Sequence, residues 1–127
     1  MRISDLLAMN FCKEYTEEKL RSLFGDGDFT WREIVECDIP LGHKAFCLLR
    51  PEFMRESDIR SVAMDFLTRS ESEITEDYTQ TLLLVGSENI RDVMSGVYKT
   101  FRLYRKQNKN LPDETEWLLS EIVKCLQ

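Results

Sequence analysis

The sequence predicts an all-α protein, a compact single-domain bundle of six or seven helices over residues 1–127 that ends in an antiparallel helical hairpin. Three observations predict it. Ile90, Val93, Met94, Val97, Tyr98, Phe101 and Tyr104 recur at the three-and-four spacing that aligns one apolar face of a long helix. Capping residues and glycine or proline stops bracket most of the other apolar segments. The one β-like run has no second strand to pair with, and an unpaired strand leaves its backbone groups unsatisfied.

Residues 3–12 form a short apolar segment. Thr16 to Phe24 reads as a helix with Thr16 as N-cap, Glu17 and Glu18 in its first turn, and Gly25 where a left-handed terminal residue fits. After the Gly25-Asp26-Gly27-Asp28 loop, Thr30-Trp31-Arg32-Glu33 is a capping box, so a helix should begin at Trp31. Ile39 precedes proline and is steered away from helical angles. Pro40 suits the start of the next helix, Leu41 to Leu49, and Pro51 stops it. From Glu56 the helical spacing returns in Ile59, Val62, Ala63, Phe66 and Leu67.

Residues 79–86 contain β-formers and a short apolar run that fits a buried strand as well as a helix. Thr75-Glu76-Asp77 is a plausible helix start, and helix is the expectation. The long helix is expected within Ser87 to Gln107, with Ser87 as N-cap, Glu88 and Asp92 near its positive end, and Arg102, Arg105 and Lys106 toward its negative end. Gly96 in its middle costs about 1 kcal/mol relative to alanine, so either a neighbouring helix approaches closely there or the position is simply tolerated. Leu111-Pro112-Asp113-Glu114 opens the last helix, in which Leu118, Ile122, Cys125 and Leu126 share a face beside Trp117.

At 127 residues with 43% hydrophobic and 31% charged side chains, the chain can bury one core without a disulfide or metal. The net charge of −6 is shared evenly between the two halves and disfavours general nucleic-acid binding. No apolar run approaches the ~20 residues that span a bilayer. The start of the chain does not read as a signal peptide, so a soluble, cytoplasmic protein is expected. Cys12, Cys37, Cys47 and Cys125 follow no disulfide framework and read as small buried apolar groups.

Chemistry has few candidates. His43 and Cys47 lie four apart and so could face each other as an imidazole–thiolate pair, but no third orienting group accompanies them. With Cys12 and Cys37 they lack the close ligand pairs of a structural zinc site. Asp26 and Asp28 resemble only the opening of a calcium loop, whose later ligands are missing. No cofactor, no metal and no enzymatic activity are therefore expected.

Residues 91–109 are the exception to the overall acidity: Arg91, Lys99, Arg102, Arg105, Lys106 and Lys109 stand against Asp92 alone. Lys99, Arg102, Arg105, Lys106 and Lys109 are the candidate binding residues, able to meet an acidic protein surface or phosphates. The first reading of the same cations is a solvated flank that complements the helix dipole and faces Asp113, Glu114, Glu116 and Glu121 across the hairpin, ahead of a binding role.

From Trp31 to Leu67, the order Trp31-x-Glu33-Ile34, Asp38-Ile39-Pro40 and Phe46-x-Leu48-Leu49-Arg50-x-Glu52-Phe53, followed by a helix with Ala63 and Phe66, resembles a family of small helical proteins of bacteria and phages often described as immunity proteins. The resemblance implies a non-enzymatic module acting through protein contacts, and it supplies no site residues. The expected function is thus occupation of a partner protein, as an immunity-type or phage-borne inhibitor or adaptor, with a homodimer compatible. The alternatives are nucleic-acid binding through residues 91–109 and a cysteine-dependent reaction at His43 and Cys47.

Overall fold

The computed structural model describes residues 1–9, 14–70, 74–107 and 109–126. Among the described residues there are eight helices and no strand: α1 (Ile3–Met9), α2 (Glu17–Phe24), α3 (Trp31–Glu36), α4 (Leu41–Leu48), α5 (Glu56–Arg69), α6 (Glu76–Val85), α7 (Ile90–Lys106) and α8 (Leu111–Leu126). The expected count of six or seven is corrected to eight, because the short opening segment folds as a helix of its own. Residues 79–86 resolve in favour of helix. Cys12 lies outside the described residues.

Local chemistry explains most of the boundaries. Thr16 Oγ1 accepts from the Lys19 N–H at 3.2 Å, and Gly25 closes α2 at φ 75°. That left-handed angle suits a residue without Cβ. The Glu33 carboxylate accepts from the Thr30 N–H at 2.7 Å and completes the start of α3. Thr75 caps α6 through the Tyr78 N–H at 3.2 Å. The cap of α7 is corrected: Asn89, not Ser87, holds the N-cap position and accepts from the Arg91 N–H at 3.0 Å. Ser87 instead shapes the preceding loop, its hydroxyl accepting from the Asn89 N–H at 3.1 Å and donating to Asp92 Oδ2 at 2.8 Å.

α7 packs along α6 on one side and α5 on the other. Val93, Val97, Phe101 and Tyr104 supply its buried face. Gly96 is the close-approach point, since a Cβ placed there would lie 2.6 Å from Val85 Cγ2 and 3.0 Å from Val85 N. Phe66 of α5 is fully buried at the centre of an aromatic cluster, with ring centroids 5.0 Å from Phe101, 4.9 Å from Tyr104 and 6.2 Å from Trp117. The Tyr104 hydroxyl donates to the Phe66 carbonyl at 2.8 Å.

α8 leans mainly on α4 and then on α5, while its contact with α7 is slight. The expected terminal hairpin is therefore corrected. The well-packed hairpin is α6 with α7, because α6 and α5 already occupy the apolar face that α8 would need. The expected charge pairing across that hairpin is corrected with it: Glu114 pairs with Arg69 of α5 at 2.7 Å and Glu121 with Lys124 at 3.0 Å.

Two cations brace the connections. Lys44 is buried and its Nζ donates to the Val35 carbonyl near the end of α3, a favourable place for positive charge. Arg60 of α5 donates to the carbonyls of Ser87 and Glu88, tying the α6–α7 loop to the core.

Candidate functional site

The apolar face of α7 is wider than its cover. Val93 and Val97 are wholly enclosed, whereas Tyr98 remains 53% exposed, and Ile90 and Met94 are partly buried. Because α8 turns toward α4, this uncovered edge becomes one wall of a groove of about 840 Å³. The other wall is the first half of α4 with the first turn of α8, from Leu111 to Thr115. Phe46 of α4 closes the bottom, its ring centroid 5.6 Å from Tyr98 and 5.4 Å from Phe101.

Around this apolar interior stand three arginines: Arg102 and Arg105 of α7, and Arg50 just past the end of α4. Among the described residues no Asp or Glu lines the groove. The Arg102 guanidinium sits over the Tyr98 ring, 5.6 Å from its centroid, a cation–π arrangement that holds the side chain at the rim. Arg50 Nε is buried without a hydrogen-bond partner among the described residues and lies 3.7 Å from the Glu52 carboxylate. The groove also receives the first turns of α4 and α8; α4 has no side-chain cap and no acidic residue in its first turn. The positive dipole end of α4 adds to the arginine charge, whereas Asp113 and Glu114 in the first turn of α8 offset the dipole there.

The candidate basic residues do not act as one flank. Lys106 is paired with Asp77 of α6, and this hydrogen bond and charge hold the Asp77 carboxyl below its ordinary range. Lys109 reaches toward the Arg69 carbonyl at 3.5 Å and lies 5.6 Å from the centroid of the Tyr104 ring. Lys99 is half-buried. Only Arg102 and Arg105 of the five meet at the groove. Sequence reading missed their companions Arg50 and Phe46. A helix ended by Pro51 was the available signal, because it leaves Arg50 at a turn instead of on a periodic face.

His43 and Cys47 diverge. His43 lines the groove and its Nδ1 shares a hydrogen bond of 2.7 Å with the Tyr15 hydroxyl. Cys47 is 1% exposed and packs near Leu6, Leu20 and Ile34. Burial pushes its thiol up to about 12 from an ordinary 9.0, the opposite of what an activated nucleophile needs. Burial also raises the thiols of Cys37 and Cys125. Among the described residues no three His, Cys, Asp or Glu side chains converge as a metal site would require.

The Cys47 environment gives a pH prediction. Above about pH 9 the unfolded chain releases this proton while the native state keeps it to about 12. Stability that is fully present below pH 9 should therefore fall progressively as the pH climbs toward 12. Urea melts across that range are expected to show the loss in the parent and a shallower loss in Cys47→Ala. In the native state Cys47 should also react with a thiol reagent more slowly than Cys37 or Cys125.

No helix among the described residues is long and apolar enough to cross a membrane. Comparison with known protein families, curated proteins and solved structures returned no match.

Proposed function

We propose that the protein acts by binding a partner protein, as an inhibitor or adaptor of the immunity or phage-borne type, and that the groove between α4, α7 and α8 is its contact surface. The observation that supports this reading is the composition of the groove: Met94, Tyr98 and Phe46 inside, arginines at the rim, and no carboxylate lining it among the described residues. Aromatic residues, Met and Arg are enriched where proteins meet, and Asp and Glu are depleted there. Tyr and Arg are also among the side chains that most often dominate binding energy. The resemblance of residues 31–67 to helical immunity proteins favours the same class.

Affinity capture followed by titration with the recovered protein tests it. Leu83 on α6, 71% exposed and not among the residues that line the groove, serves as a control. The parent and Leu83→Glu are expected to hold the partner equally, while Tyr98→Ala and Arg102→Glu each weaken it by about tenfold or more, the scale of a central contact. A partner held equally by all four proteins would remove the groove from the reading. If the only ligand found is an oligonucleotide whose binding drops steeply with salt, the function passes to nucleic-acid contact through residues 91–109.

A further inference from the structure

We infer that the occupant of this groove is an acidic amphipathic α-helix carried by the partner protein. The inference rests on the protein-binding reading above and specifies the chemistry of the bound segment. Shape supplies the first reason. Met94, Tyr98 and Phe101 stand at i, i+4 and i+7 on α7, a ridge of roughly 10 Å or two helical turns, and the opposite wall is built from two further helices. A trough between helices accepts the side-chain ridge of another helix, with apolar anchors at the same spacing. Among the described residues there is no strand, so a peptide has no sheet edge to extend.

Charge supplies the second reason. The chain carries a net charge of −6, yet Arg50, Arg102 and Arg105 surround this trough, and among the described residues no carboxylate lines it. Acidic residues flanking the anchors would be repelled by most of the surface and attracted here, which steers encounter and sets orientation. The charge of Arg50 is partly met by the Glu52 carboxylate at 3.7 Å, so Arg102 and Arg105 supply most of the attraction. A basic helix would meet like charge on both walls.

The test uses the whole chain and two synthetic helices of about 15 residues, long enough to overlie the trough at 1.5 Å per residue. Both are stapled so that they are helical when free, and both carry leucines at i, i+4 and i+7; one has Glu at its remaining charged positions and the other Lys. Fluorescence anisotropy is expected to show saturable micromolar binding of the Glu helix, at least tenfold tighter than that of the Lys helix. The double variant Arg102→Glu/Arg105→Glu should invert this preference, a result that general loss of folding cannot mimic. Equal affinity for the two helices, a preference for Lys, or no saturation by the Glu helix up to millimolar concentration overturns the inference. So does a homodimer that the double charge reversal dissolves, which would assign the groove to a second copy of the chain. Should the Glu helix fail while partner capture still depends on Tyr98, the groove binds protein by other chemistry; if that dependence is absent too, both readings fall.

Discussion

Phe66→Ala is expected to lower the free energy of unfolding by about 3–5 kcal/mol, the usual range for removing a buried aromatic side chain. The ring is fully enclosed and touches α7 through Phe101 and Tyr104 and α8 through Trp117. Its removal takes away transfer energy and leaves a hole between three helices whose backbones cannot all close at once. Total stability for a domain of this size is typically only about 5–15 kcal/mol, so the variant should stand near the edge of folding. Urea denaturation followed by circular dichroism measures the change. Phe66→Leu is expected to recover more than half of the loss; a loss under 1 kcal/mol in Phe66→Ala would mean that this cluster is not the centre of the core.

Gly96→Ala is the second large effect, and it runs against helix propensity. In an open helical position the change would stabilise by about 1 kcal/mol. Here the new methyl would lie 2.6 Å from Val85 Cγ2 and 3.0 Å from the Val85 backbone nitrogen, so rotation of one side chain does not relieve the crowding. α6 must move off α7, and the expected net loss is about 1–3 kcal/mol, the range for overpacking. Gly42→Ala provides the contrast. No atom lies within 4 Å of a Cβ built there, and its sign should be neutral to slightly stabilising. Thermal melts of the two variants side by side check both signs.

The sequence made the local features readable and left the global arrangement open. Thr16, Thr30 with Glu33, and Thr75 announced three helix starts, because a cap is a contract between residues two or three apart. Ile59, Val62, Ala63, Phe66 and Leu67 were identifiable as a buried face by spacing alone, and all five are buried. Partner choice among helices is different, since several apolar faces compete and only their mutual fit decides. α8 was expected against α7 because the loop between them is short, yet Gly96 admits α6 and the Phe66 cluster admits α5. The groove is the remainder of that competition. Its apolar wall was visible as part of the α7 stripe, but not its emptiness of cover, and Arg102 and Arg105 could be singled out from their neighbours only once Lys106 had found Asp77 and Lys109 had turned toward Tyr104.

The hydrogen bond from the Tyr104 hydroxyl to the Phe66 carbonyl also constrains how α7 can move. Rolling α7 about its own axis would have to break this buried bond and leave polar atoms without water, a cost of about 1–3 kcal/mol. The five residues it presents to the groove, Met94, Tyr98, Phe101, Arg102 and Arg105, are thereby bolted at one azimuth. On the proposed protein-binding reading, a partner would meet a face already set at its final angle, so little ordering entropy would oppose docking and association should proceed as a single rigid-body step.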